Sequence, residues 1–118
     1  MEPLAKLYIS SAKVKGIFGD GKYHLLKAIQ DYGSIQEAAK KLRRSYRKAW
    51  GDIKVAEKGF GQALVVRTRG GRSGGSTILT EFGLHLLKEW KKYRREIDSN
   101  MKKSFNKHLK KVLGNKEN

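Results

Sequence analysis

Arg44, Arg47, Gly51, Lys54 and Lys58 recur at steps of three or four residues, a spacing that stacks side chains along one face of a helix. On that face they could do the chemistry of polyanion binding. An arginine fork matches O6 and N7 of guanine, while lysine mainly neutralises phosphate. Lys48 stands at the flank, and Tyr46, Ile53 and Phe60 fall on the opposite, apolar side, so Tyr46 and Trp50 are expected in the core. Gly51 costs about 1 kcal/mol of helix propensity relative to alanine. A glycine on the presented face removes bulk where backbone and ligand would meet. Ser45 fits an N-cap and would also turn helix N-terminal amides towards a phosphate.

Other chemistries lack their residues. The stretch "GGRSGGST" at 70–77 has no lysine for a P-loop and leads into a strand-like segment. His24, His85 and His108 show no metal-ligand spacing. There is no cysteine, hence no thiolate, and Asp52 and Glu57 have no general-acid context. We expect neither catalysis, nor a metal, nor a cofactor.

The elements that must position the basic face follow from pattern. Residues 4–15 alternate loosely and read as one or two strand segments, with Asp20 a candidate cap after the turn "GIFGDGK". A helix over "KYHLLKAIQDY" stops at Gly33, a natural left-handed C′ residue. Ser34 and Glu37 form a capping-box pattern opening a short helix with Ile35, Ala38, Ala39 and Leu42 on one side. The basic helix follows after a short turn, which is the helix-turn-helix arrangement. "ALVVRTR" and "STILT" then read as strands on either side of the glycine pairs, so the glycines form a hairpin tip. A long helix carries Phe82, Leu86, Trp90, Tyr93, Ile97 and Met101, continuing through Phe105 and Leu109 to Val112. That stripe outruns a small domain, and a second copy of the chain is the simplest partner.

The charge supports the same partner. Twenty-seven Lys+Arg against 11 Asp+Glu give 118 residues a net charge of +16, a field that attracts nucleic acid or, as a rival, an anionic membrane surface. No apolar run approaches the roughly 20 residues of a membrane span, and no signal-peptide pattern opens the chain, so a cytoplasmic, nucleoid-associated protein is expected. A non-specific architectural chromatin protein and an RNA-binding protein are the alternatives.

Three quoted motifs carry a family resemblance. These are G-S-I-x-x-A-A at 33–39, S-Y-R-x-A-W at 45–50, and R-x-x-G-G-x-x-G-G followed by L-T-x-x-G. Over roughly residues 16–97 the chain resembles the N-terminal DNA-binding domain of the molybdate-responsive, ModE-type regulators, which share the LysR-type winged helix-turn-helix. The resemblance implies a dimeric regulator on a palindromic operator. It places Ser45, Tyr46, Arg47 and Lys48 at the start of the recognition helix and Arg69 and Arg72 in the wing. Ser34, Arg43, Arg67 and Ser73, in the flanking turns and hairpin, complete the candidate interface with Arg44, Lys54 and Lys58. The turn often reads L-G-[MI]-S in the family and here reads Leu42-Arg43-Arg44-Ser45, adding charge beside the helix. Molybdate-binding domains are expected to be absent, since the chain ends where they would begin.

The expected fold is therefore mainly α with a small β-hairpin. A winged helix-turn-helix would occupy residues 1–81, a long dimerisation helix 82–113 and a disordered tail 114–118.

Overall fold

Local sequence signals close most of the helices where they end. In the computed structural model, which describes residues 1–68 and 75–114, helix α1 spans Asp20–Tyr32 and stops at Gly33, whose φ of 74° lets its N–H reach the Ile29 carbonyl. Ser34 caps α2 (Ile35–Lys41), its hydroxyl accepting from the Glu37 N–H at 2.9 Å. Ser45 caps α3 (Tyr46–Phe60) in the same way, accepting from the Lys48 N–H at 3.0 Å. Asp20 is not the cap of α1; Gly19 holds that position, and the Asp20 carboxylate turns elsewhere.

Before α1, strands β1 (Tyr8–Ile9) and β2 (Phe18–Gly19) pair antiparallel, a shorter strand region than the alternation suggested. After α3, β3 (Val65–Thr68) and β4 (Ser76–Leu79) form the antiparallel wing, with Val65 opposite Leu79 and Arg67 opposite Thr77. Helix α4 runs from Glu81 to His108 and the chain re-forms a short α5 at Lys110–Leu113 after a break at Leu109.

The core lies where α1, α2, α3 and the start of α4 converge. Leu25, Leu26, Ile29, Ala38, Ala49, Ile53, Ala56 and Leu64 are fully enclosed, and fully burying each larger aliphatic removes an exposure cost of about 1.5–3 kcal/mol. Phe18 joins this core from β2, edge-on to Trp90 at 5.2 Å between ring centroids. The L-T-x-x-G motif has a packing reason. Thr80 caps α4 by accepting from the Gly83 N–H and donates to the Ala63 carbonyl. A Cβ on Gly83 would sit 2.4 Å from the Leu64 carbonyl oxygen, so only glycine lets α4 lie against the entry to the wing.

Asp20 ties these layers together. Its carboxylate accepts from the Leu7 N–H at 2.9 Å, the Trp90 indole at 3.2 Å and the Arg94 guanidinium at 2.8 Å. Trp90, expected on a dimer face, is thus 5% exposed within its own protomer, and Phe82 and Leu86 also pack against this core. Helical periodicity cannot tell a helix's own core from a partner. The expected boundary at residue 81 consequently divides the sequence but not the packing, because the first turns of α4 complete the core. Beyond them α4 continues outward, and the protein measures 60 × 34 × 22 Å.

Candidate nucleic-acid interface

The turn between α2 and α3 fixes the start of α3. Arg43 adopts φ 56°, the left-handed region that favours glycine, so a β-carbon is strained there. The Arg44 N–H bonds back to the Ala39 carbonyl at 2.9 Å, and the Arg44 guanidinium donates to the Gly21 carbonyl at 3.2 Å. Arg44 is therefore half-buried and engaged in holding the turn against α1, a departure from its expected place on the free basic face.

From this turn α3 packs Ala49, Ile53 and Ala56 inward and presents Arg47, Gly51, Lys54 and Lys58 to solvent. At ~100° per residue these four fall within a stripe about 60° wide. Nothing lies within 4 Å of a Cβ built on Gly51, so no packing inside the chain demands a glycine there. Lys48 stands at the edge of the stripe and pairs with Asp52 at 2.8 Å. Tyr46 is 42% exposed, contrary to the expectation of a core residue; α3 buries Ala49 and Ile53 instead.

The wing is braced on α3 at two points. The Glu57 carboxylate accepts from the Leu64 N–H at 2.8 Å, fixing the start of β3. Trp50, half-buried, lies between two cations: the Lys54 ammonium is 4.7 Å and the Arg67 guanidinium 5.0 Å from its ring centroid. A basic group of α3 and one of the wing thus share a single indole. Sequence reasoning missed this platform; the i,i+4 step from Trp50 to Lys54 shows half of it, but Arg67 arrives only through the fold. On the other strand the Thr77 N–H donates to the Gly33 carbonyl at 2.8 Å, docking β4 on the end of α1. Ser34, Tyr46 and Arg67 line one open groove between α2, α3 and the wing.

The structure thus brings Ser34, Ser45, Tyr46, Arg47, Lys54, Lys58 and Arg67 towards one surface, with Arg43 exposed in the adjoining turn. Arg69, Arg72 and Ser73 lie outside the described residues, as does the tail beyond Gly114. Of the six residues expected to pair two copies, Tyr93 is 44% exposed and Ile97 and Met101 are half-buried, whereas Phe82, Leu86 and Trp90 face the core. No group of three or more metal-ligating side chains occurs among the described residues, and no helix there is long and apolar enough to cross a membrane.

Comparison with known proteins agrees with this architecture. The chain is 39% identical over 80 residues to the Azotobacter vinelandii protein named molybdenum transport protein ModE, covering 68% of this chain and 30% of that one. It is 40% identical over 74 residues to the Haemophilus influenzae protein named transcriptional regulator ModE, covering 62% of this chain and 29% of the relative. Among solved structures it is similar to ArgP from Mycobacterium tuberculosis, with TM-score 0.52 and 27% identity over 70% of this chain and 30% of that chain. The chain spans about 30% of the length of these relatives. A family profile described as bacterial regulatory helix-turn-helix protein, lysR family, matches residues 22–84. With a capped helix-turn-helix, a braced wing and a profile match over more than half its residues, the chain belongs to the lysR-family bacterial regulatory helix-turn-helix proteins.

Proposed function

We propose that the protein is a sequence-specific, double-stranded-DNA-binding transcription regulator that acts as a dimer in the cytoplasm, by binding and not by catalysis. One observation carries the reading: the exposed stripe Arg47, Gly51, Lys54 and Lys58, whose glycine has no partner inside the chain, on the second helix of a helix-turn-helix. Such a stripe suits the major groove, where Arg47 reads a guanine edge and Gly51 admits close approach of the helix backbone. Lys54 and Lys58 neutralise phosphates along the same face. The wing meets the flanking backbone or minor groove through Arg67; Arg69, Arg72 and Ser73, expected from the sequence to share that contact, lie outside the described residues.

Pairing through the outer part of α4, from Tyr93 through Ile97 and Met101, would set two recognition helices on successive major grooves about 34 Å apart. Selection of bound fragments from random duplex DNA tests the whole reading. A recovered palindromic site bound at least ~10³-fold more tightly than random duplex is the expected result. Equal affinity for all duplexes would replace it with the architectural alternative, whose binding is steeply salt-dependent and indifferent to sequence.

A further inference from the structure

We propose that the β1–β2 hairpin is a second DNA-backbone arm, which contacts duplex phosphates on the flank of α3 opposite the wing. This rests on reading α3 as the DNA-facing helix, and it gives the interface a component that neither the family match nor the recognition-helix pattern assigns. The profile match begins at residue 22, after the hairpin has ended.

The placement follows from α3 itself. Taking Arg47 as the centre of the presented face, Trp50 and Tyr46 lie about 60–100° to one side and hold the wing. Lys48, Asp52 and Gly59 lie about 100–140° to the other side, and this flank meets the hairpin. A Cβ on Gly59 would fall 2.7 Å from the side chain of Ile17, the residue before β2 on the loop side of the hairpin, so that side of the hairpin sits directly on α3. Further along, Lys6, Tyr8 and Gly16 of the hairpin region line one open groove of about 720 Å³ with Lys22, Arg44, Lys48 and Asp52.

The hairpin is also hydrogen-bonded within itself and basic. The Ser10 hydroxyl accepts from the Gly16 N–H at 2.7 Å, the Ser11 hydroxyl accepts from the Val14 N–H at 3.0 Å, and the Ile17 N–H reaches the Ile9 carbonyl at 2.8 Å. The Lys22 ammonium donates to the Gly16 and Ile17 carbonyls, and burial, partly offset by Asp52, lowers its pKa. No carboxylate occurs between Glu2 and Asp20, yet that stretch carries Lys6, Lys13 and Lys15. All three are exposed and have no partner among the described residues. Preformed geometry with unpaired cations is what a phosphate contact requires, because little ordering entropy is lost on binding.

The test is the full chain with Lys6→Gln, Lys13→Gln and Lys15→Gln together, beside a control with Lys88→Gln, Lys103→Gln and Lys107→Gln on α4. Affinity is measured across a salt series for the selected site and for random duplex. The hairpin variant is expected to lose about two to three units of the log K against log salt slope, since each phosphate contact contributes ~0.9. Its ranking of sequences should stay unchanged, and the control should lose less than one unit. An unchanged slope in the hairpin variant, or an equal loss in the control, overturns the arm. If the wild type ranks all duplexes equally while the hairpin variant still loses slope, the regulator reading fails and the arm stands. If the wild type binds no duplex, both fall.

Discussion

Arg94 and Arg47 carry the same guanidinium into opposite surroundings. Arg94 grips Asp98 through two nitrogens, at 2.7 and 3.2 Å, and reaches Asp20 at 2.8 Å; the Asp98 hydrogen bonds, with the nearby Asp20 charge, raise its pKa. Arg47 projects from α3 with no carboxylate partner among the described residues. A chain with 27 cations and 11 acids can neutralise only a minority, so the placement of acids decides which cations serve structure. No carboxylate occurs between Glu37 and Asp52, or between Glu57 and Glu81, which are the helix-turn-helix turn and the wing. On α4 the Lys92 and Arg94 charges are paired with Glu89 and Asp98, whereas the α3 stripe of Arg47, Lys54 and Lys58 has no carboxylate partner among the described residues. Exposed pairs contribute little stability, typically 0–1 kcal/mol, so leaving these cations unpaired costs the fold little.

The comparison breaks most sharply at its structural end. Gly83→Ala forces a β-carbon against the Leu64 carbonyl and is expected to cost about 3 kcal/mol, the upper part of the overpacking range. Chemical denaturation would show it, and an unchanged midpoint would mean that α4 is not seated on the wing as described. At the open end, Arg47→Ala should leave the denaturation curve alone. It should remove about 1–3 kcal/mol of discrimination at one base position, read by ranking single-substituted sites. A destabilised Arg47→Ala protein with unaltered site preference would erase the distinction between the two arginines.

Two smaller substitutions sharpen the contrast by moving stability and binding in opposite directions. Gly51→Ala fills open space on α3 and should stabilise the fold by about 1 kcal/mol while weakening duplex affinity. If stability and affinity both rise, the backbone at residue 51 does not approach DNA. Arg43→Gly relieves a left-handed β-carbon, and the gain, partly offset by a more flexible unfolded chain, should be under about 1 kcal/mol. Its affinity should fall evenly across sequences, in keeping with one lost phosphate contact. Thermal melts paired with binding isotherms check both variants.

What the sequence made legible was local. Gly33, Ser34 and Ser45 announce helix ends because a cap is decided within three or four residues. The basic stripe of α3 follows from helical period alone, and so does the existence of a long final helix. Contacts across the chain were not legible. Asp20 resembled a cap, yet its acceptors serve Leu7, Trp90 and Arg94, the last 74 residues away. Tyr46 and Trp50 share the apolar side of α3, but Tyr46 is left outside the core and Trp50 is a seat for Arg67. Gly59 and Gly83 look like helix-weakening residues until the side chain or carbonyl that crowds each one is known.

The Asp20 junction has a mechanical consequence. By holding both Trp90 and Arg94, one carboxylate fixes the bearing of α4 relative to α1 over a full turn of helix. A helix of 28 residues is about 42 Å long, so any twist at its root is magnified at its far end. In a dimer joined along that outer length, as proposed, α4 would be a ruler. The crossing point of two such copies would set the operator spacing, and Asp20 would keep the ruler from swinging.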